Sequence, residues 1–168
     1  MKIQSMFQKN INRDINGVIK VAQDDEQSLV QELGEYIITK ELRRHFNTFF
    51  NNYSKAIDHP TDKIWVWISG FFGSWKSHFL KMLCYLLSNH EVAGRHAADF
   101  FKDKFDDPMM YATIVRCTNI PTESILFNID IEGPINKDKT AVLRVFAKVF
   151  YNHLGFYGED LTIAKLER

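Results

Sequence analysis

Residues 63–77 read KIWVWISGFFGSWKS, and this stretch decides the predicted fold. The run KIWVWIS is short, apolar and rich in aromatic and β-branched residues, which is the profile of a buried parallel strand. Beyond a glycine-bearing loop, SHFLKMLCYLLSNH predicts a helix of about three turns, with one apolar side formed by Phe79, Leu80, Leu83, Leu86 and Leu87. The order strand, loop, helix is the architecture that a phosphate-binding loop requires.

The loop follows the pattern G-x-x-x-x-G-K-[ST] except that Trp75 replaces the second glycine. In such a loop, backbone N–H groups and the helix dipole bind phosphates. Lys76 is expected to reach the β- and γ-phosphates of ATP, and the Ser77 hydroxyl to complete the coordination of Mg²⁺. His78 is either a phosphate contact or an ordinary surface or half-buried imidazole. The predicted nucleotide site comprises Gly70, Phe71, Phe72, Gly73, Ser74, Trp75, Lys76, Ser77 and His78.

Trp75 requires the fold of this loop and its binding of ATP to be predicted separately. A glycine before the lysine lets its N–H approach a phosphate oxygen, whereas an indole must lie across the phosphate site or force the loop open. The context therefore predicts the fold of a P-loop protein, while Trp75 argues against tight ATP binding. The remaining interpretation is that the loop is an ordinary turn without a phosphate-binding role, followed by a helix that begins with a positively charged residue.

The second half of an ATPase site is not evident in the sequence. ILFNIDI (residues 125–131) is a predicted second buried strand, and Asp130 superficially resembles a Mg²⁺-positioning aspartate. The next residue is Ile131 rather than a water-activating glutamate, which favours a turn-capping role for Asp130. The six histidines match no common zinc spacing. Because this sequence lacks the hydrolysis motif and has Trp75 in place of the loop glycine, we expect the chain to be inactive as an ATPase on its own.

The chain before the loop predicts a hairpin and two helices. Asn16-Gly17 lies between alternating segments and predicts a β-hairpin over residues 11–21. Residues 24–57 predict two helices, the first capped by Asp24 or Asp25 and the second by Thr39. The apolar face of these helices either packs into the core or docks a partner, and it comprises Leu29, Leu33, Ile37, Leu42, Phe46, Phe49 and Phe50.

The chain after the loop predicts further helices. AADFFKDKF (97–105) reads as helical, and Asp107-Pro108 predicts a cap followed by proline at the first helical position. A last helix is predicted from KDKTAVLRVFAKVFYNHLG, with Gly155 as its C-terminal cap. Its apolar face comprises Val142, Leu143, Phe146, Val149, Phe150 and Leu154.

Composition limits the class of protein. The chain has 168 residues, 45% of them apolar and 25% charged, and its 21 basic residues balance its 21 acidic residues. This balance argues against a strongly basic nucleic-acid binder. Cys84 and Cys117 lack metal-binding spacing and are predicted to be reduced and semi-buried. The amino terminus has no apolar signal region, and no run of 18 apolar residues occurs, so we expect a cytoplasmic protein without a membrane span.

Several segments together resemble the amino-terminal part of the BrxC/PglY family, large P-loop ATPases of bacterial BREX phage-defence systems that are similar to AAA+ ATPases. They are INRDINGVIKV, YIITKELRRHFNTFF, DKIWVWISGFFGSWKSHFLKMLCYLLSN and PTESILFNIDIEGPINKDKTAVLRVFAKVFYNHLGFYGEDL. The resemblance implies phosphate contacts by Gly70, Gly73, Ser74 and Lys76, and a Mg²⁺ contact by Ser77. It further implies ATP and Mg²⁺ as cofactors, and a methyltransferase and associated defence proteins as partners, with DNA reached indirectly through the complex.

The resemblance also implies an incomplete α/β P-loop core, a parallel sheet flanked by helices. Residues 1–60 are expected to form a hairpin and helical region, and residues 61–168 the N-terminal half of an AAA+-like domain. The chain is thus expected to be an amino-terminal fragment whose open sheet edges and one uncovered helix face invite self-association. Members of the resembled family usually have a small residue where Trp65 stands in the strand KIWVWIS. The large indole is therefore predicted to overpack this strand. The alternative function is a non-catalytic interaction module in which residues 22–57 dock a partner.

Overall fold

A computed structural model of the chain describes residues 3–7, 11–12, 26–62, 65–71, 73, 75–129 and 139–168. It is mostly helical, with one two-stranded antiparallel sheet. The helices are α1 (Glu26–Glu35), α2 (Lys40–Asp58), α3 (Lys76–Ser88), α4 (Pro108–Thr118), α5 (Ala141–His153) and α6 (Leu161–Glu167). The strands are β1 (Glu91–Val92) and β2 (Arg95–His96), and 3-10 helices span Ile3–Met6 and Ala97–Lys104.

Three helix ends confirm the predicted capping residues. The Thr39 hydroxyl accepts a hydrogen bond from the Leu42 N–H at 3.2 Å, and the Asp107 carboxylate accepts one from the Met109 N–H at 2.9 Å. Gly155 follows α5 with a φ of +85° and closes that helix, because its N–H donates to the Asn152 carbonyl at 3.0 Å. Asp24 and Asp25 lie outside the described residues.

The core is formed by α1 to α4 and the second 3-10 helix. Leu33, Phe46 and Phe50 from the predicted apolar face are fully buried. The Phe46 ring contacts Phe79 at a centroid distance of 4.9 Å and Phe105 at 5.7 Å. The core-packing interpretation of this face is therefore confirmed, except at Ile37, which follows α1 and is exposed. Helices on both sides of the predicted boundary at residue 60 share this core.

The hairpin β1–β2 was not predicted from the sequence. Its register pairs Glu91 with His96, and its turn residues Ala93 and Gly94 both have positive φ, at +51° and +71°. The sequence Ala-Gly is a weak signal for such a turn, which Asn-Gly or Asp-Gly usually forms. The Glu26 carboxylate accepts a hydrogen bond from the Ala93 N–H at 2.8 Å and so holds the turn against α1.

Both predicted core strands are wrong where the structure describes them. Residues 65–71 and 125–128 have no regular secondary structure, and Trp65 and Trp67 are 89% and 90% exposed. A strand needs neighbouring strands for its N–H and C=O groups, and these two segments do not pair with each other in the described ranges. Since Trp65 is exposed, the predicted overpacking is also wrong. The P-loop sheet is thus not formed in the described part, and the hairpin at 11–21 and Asp130 lie outside it.

The predicted helix AADFFKDKF forms as a 3-10 helix rather than an α-helix. Lys104, at its end, donates hydrogen bonds to the carbonyls of Leu33, Gly34 and Tyr36 at 2.6, 3.0 and 2.8 Å. These are carbonyls at the C-terminal end of α1, where no further helical turn supplies donors. The lysine therefore caps a helix that lies about 70 positions earlier in the chain.

The two cysteines are free, and Cys84 is half-buried as predicted, whereas Cys117 is fully buried. Burial raises the pKa of both thiols. Within the described ranges, no helix combines the length and the apolar character needed to cross a membrane.

Candidate phosphate-binding loop

The quoted loop leads directly into α3, as predicted. The helix begins at Lys76, and the Phe79 N–H closes its first turn on the Trp75 carbonyl at 2.8 Å. Lys76, Ser77 and His78 therefore share this first turn, whose N–H groups have no carbonyl one turn earlier in the helix. The helix dipole adds positive potential at the same place. Gly70, Gly73 and Ser77 are exposed at this end, whereas Phe72 and Ser74 lie outside the described residues.

Trp75 has a backbone conformation that glycine adopts freely. Its φ is +60° and its ψ is +20°, in the left-handed region. Gly73 two positions earlier also has a positive φ, of +78°. A left-handed conformation costs an L-residue roughly 1–2 kcal/mol, and it is uncommon for a bulky side chain. The position that departs from the motif is thus one where the local backbone favours glycine.

The indole of Trp75 lies beside the first turn of α3. Its ring centroid is 5.8 Å from that of His78, with the two planes tilted by 44°. The side chain is 66% exposed, so the core does not hold it in place. An aromatic ring here competes for space with any group that approaches the first-turn N–H groups.

Lys76 is bound within its own loop. Its ammonium donates a hydrogen bond to the Phe71 carbonyl at 2.6 Å, which joins the two ends of the turn. A phosphate oxygen is a stronger acceptor for an ammonium than a neutral carbonyl is, because both partners are then charged. The observed bond can therefore be exchanged for a phosphate contact without leaving Lys76 unpaired.

His78 contacts the core as well as the loop. Its ring packs edge-on against Tyr36 at a centroid distance of 4.7 Å, and its buried Nε2 has no hydrogen-bond partner in the described part of the chain. Burial lowers the pKa of His78 to about 4, and the charge of Lys81 acts in the same direction. The imidazole is therefore neutral at pH 7 and adds no positive charge to the loop, which agrees with the half-buried interpretation.

Sequence reasoning missed a buried ion pair behind this turn. Lys81 of α3 is fully buried, and its Nζ lies 3.0 Å from Oε1 and 2.8 Å from Oε2 of Glu32 in α1. The same ammonium lies 5.5 Å from the centre of the Tyr85 ring. From the sequence, a lysine in a helix is expected to be exposed to solvent. Its partner Glu32 is also 49 positions away, so no local spacing indicates the pair. Only tertiary packing reveals the pair.

A groove of about 440 Å³ lies elsewhere, between α1 and the β1–β2 hairpin. Leu29, Leu33 and Val92 line it, together with the carboxylates of Glu26 and Glu91. Two carboxylates repel phosphate, and no loop residue lines the groove. The groove is therefore separate from the candidate phosphate-binding loop.

The residues of this turn fit the phosphates of a nucleotide through the Lys76 ammonium and the first-turn N–H groups. Ser77 is exposed there, and its hydroxyl is an oxygen ligand of the type that Mg²⁺ accepts beside phosphate oxygens. The Trp75 indole does not fit a phosphate. The arrangement thus resembles a phosphate cradle with one ill-suited side chain.

No protein-family model matches this chain, and no solved structure matches it. The loop motif and the geometry of the turn are therefore the observations that favour a phosphate site.

Proposed function

We propose that this chain is the amino-terminal part of a BREX-type P-loop ATPase of bacterial anti-phage defence, with a Walker A loop impaired by Trp75. The observation that carries the proposal is the left-handed backbone at Trp75 immediately before Lys76. A backbone that favours glycine is expected at this position if the loop belongs to the G-x-x-x-x-G-K-[ST] class and Trp75 has replaced its second glycine.

The proposed site uses few side chains. The first-turn N–H groups of α3 and Lys76 bind the phosphates of ATP, and Ser77 binds the accompanying Mg²⁺. Lys76 leaves the Phe71 carbonyl when phosphate arrives. The indole obstructs this exchange, so we expect weak nucleotide binding and little hydrolysis by this chain.

The wider setting of the proposal comes from the sequence resemblance. In a BREX system the partners are a methyltransferase and associated defence proteins, and DNA is reached through the assembled complex. The proposed location is the cytoplasm, where BREX systems act on incoming DNA.

The second candidate function is a non-catalytic interaction module in a defence complex. The observation that favours it is the exposure of Trp65, Trp67 and Phe71, three aromatic side chains that are each about 90% accessible. Exposed aromatic residues are enriched at protein interfaces. The helical region 22–57 is a poorer docking surface, because Leu33, Phe46 and Phe50 are used in the core.

The test is a titration of a fluorescent ATP analogue with Mg²⁺ into the wild-type chain and into Trp75→Gly. Trp67→Gly is the matched control, since it makes the same substitution at an exposed tryptophan outside the loop. Trp75→Gly/Lys76→Ala tests whether binding depends on the ammonium. Circular dichroism shows first that every variant is folded.

We expect Trp75→Gly to bind at least tenfold more tightly than the wild type, and the control to leave the affinity unchanged. Added Lys76→Ala should abolish the gain. Saturation at 100 times the Kd should also stabilise Trp75→Gly by about 2.7 kcal/mol in thermal unfolding. Failure of both Trp75→Gly and the wild type to bind would leave the interaction module as the better proposal.

A further inference from the structure

Two buried polar atoms lie behind the candidate phosphate-binding loop without hydrogen-bond partners in the described part of the chain. They are the hydroxyl of Tyr36, a residue that is only 6% exposed, and the Nε2 of His78. The two rings are in edge-on contact at a centroid distance of 4.7 Å. A polar atom that has lost water without gaining a partner is costly, so folded proteins keep few of them. Two such atoms on adjacent rings point to a hydrogen bond that another group prevents.

The His78 imidazole is held between two rings. Tyr36 lies on its core side, and the Trp75 indole lies on its loop side at a centroid distance of 5.8 Å. An imidazole packed in this way turns its Nε2 toward a new partner only if one of the two rings moves. Tyr36 is fixed by Phe46 and Phe101, whose ring centroids are both 6.2 Å away. Trp75 is 66% exposed and is therefore the ring that can leave.

We propose that Tyr36 is a positioning residue of the loop, and that its hydroxyl donates a hydrogen bond to the Nε2 of His78 when the Trp75 indole leaves the first turn of α3. The inference rests on the proposed function, in which the indole must leave before a phosphate can approach. A tyrosine hydroxyl is a donor, and the unprotonated nitrogen of a neutral imidazole is an acceptor, so the two groups match. The bond joins the first turn of α3 directly to the core.

This bond favours phosphate binding through the backbone. His78 lies two positions after Lys76, at the start of α3, and its N–H is one of those that face the phosphate site. Tyr36 is a firm anchor, because its carbonyl also accepts a hydrogen bond from Lys104 at 2.8 Å. A site that is restrained before binding loses less freedom when the ligand arrives. Tyr36 therefore raises the affinity for phosphate without contacting the ligand.

The experiment combines thermal unfolding of the free chain with titration of a fluorescent ATP analogue and Mg²⁺. Tyr36→Phe, which removes only the hydroxyl, is made in the wild type and in Trp75→Gly. Tyr157→Phe is the matched control, because Tyr157 is 54% exposed and lies between α5 and α6. His78→Phe in the Trp75→Gly background removes the acceptor. The nitrogen chemical shift of the His78 Nε2 reports the hydrogen bond directly.

We expect the effect of Tyr36→Phe to depend on the residue at position 75. In the wild type it should leave the Tm unchanged or raise it slightly, because the hydroxyl it removes has no partner there. In Trp75→Gly it should lower the Tm by roughly 2–4 °C and weaken ATP binding about three- to tenfold, which is the size expected for one hydrogen bond. Tyr157→Phe should change neither quantity. With His78→Phe present, Tyr36→Phe should again have no effect.

Three outcomes contradict the proposal in different ways. Equal Tm changes for Tyr36→Phe in the two backgrounds would overturn it, because the hydroxyl would then be indifferent to the indole. If Trp75→Gly binds ATP and added Tyr36→Phe leaves that affinity unchanged, the positioning role is wrong while the proposed function stands. If Trp75→Gly binds no ATP, the proposed function is wrong and the positioning role fails with it.

Discussion

Phe46 and Trp67 are both large aromatic residues, yet one is fully buried and the other is 90% exposed. Phe46 belongs to α2, in the core built by α1 to α4, whereas Trp67 belongs to the segment 65–71 before the loop. The difference does not come from hydrophobicity, since α2 contains more polar and charged residues than the segment 65–71. It comes from how each segment satisfies its backbone.

A helix satisfies its N–H and C=O groups within its own sequence, so an apolar stripe can be buried as soon as two helices meet. A strand satisfies them only through neighbouring strands. The segment 65–71 has no strand beside it in the described part of the chain, so its apolar residues have no sheet to join. The contrast teaches that apolar content predicts burial only when the hydrogen-bonding partners are also present.

The largest expected effect is a loss of stability when the buried ring of Phe46 is removed from the core. Phe46→Ala should lower the free energy of unfolding by about 3–5 kcal/mol, because it removes a fully buried ring and leaves a cavity. Trp67→Ala should change it by no more than about 0.5 kcal/mol, because its side chain is in solvent. Urea unfolding of both variants measures the difference. Equal losses would mean that the segment 65–71 is packed as tightly as the core.

The next effect concerns the buried ion pair. Lys81→Met should destabilise the fold by roughly 3–5 kcal/mol, since it leaves the Glu32 carboxylate buried without its partner. Lys81→Met/Glu32→Leu should recover most of this loss, because both charges are then replaced by apolar groups. A double-mutant cycle in urea gives the coupling. If the double variant were as unstable as Lys81→Met, apolar side chains could not replace the ion pair, and the pair itself would be required for stability.

Acid should weaken the contact between the loop and the core through His78. The folded pKa is about 4, below the usual 6.5, so the stabilising contribution is fully present above pH 6.5 and is lost as the pH falls toward 4. With an allowance for partial solvent access, the loss at pH 5 is on the order of 1 kcal/mol.

His78→Phe keeps an aromatic ring against Tyr36 and removes the titration. Its stability should fall less than that of the wild type between pH 8 and pH 5, as measured by urea unfolding. His59→Gln is the control, because His59 is exposed at the end of α2. Parallel pH profiles for wild type and His78→Phe would exclude the imidazole as the cause.

The smallest effect sharpens the description of the loop. Trp75→Gly should raise the free energy of unfolding by about 0.5–1 kcal/mol, since relief of the left-handed backbone outweighs the extra freedom of glycine in the unfolded chain. Trp75→Asn should give part of the gain, because asparagine tolerates this conformation, and Trp75→Ala should give none. An equal response to all three replacements would point to the indole rather than the backbone.

The sequence was most informative where a short local signal decides the structure. Thr39, Asp107-Pro108 and Gly155 each mark a helix end through hydrogen bonds that span only a few residues. The loop could be placed for the same reason, since strict spacing brings Lys76 and Ser77 to the first turn of α3. The left-handed backbone at Trp75 could be inferred only from the motif, in which glycine is usual.

Features that depend on distant residues could not be predicted. The pairing of Glu32 with Lys81 and the turn at Ala93, which is held by Glu26, join positions 49 and 67 residues apart. Whether KIWVWIS becomes a strand depends on other strands, so its own composition could not decide the outcome. The exposure of Leu143 and Phe146 on α5 likewise depends on what else packs nearby.

The three hydrogen bonds from Lys104 to the end of α1 have a consequence for the order of folding. Lys104 follows those carbonyls by 68 to 71 positions. During synthesis, most of the core sequence must therefore emerge from the ribosome before the end of α1 can be capped. Contacts between distant positions form slowly, since the intervening chain must first be brought together. Helix α1 is therefore synthesised before its cap and is completed only after the second 3-10 helix has emerged.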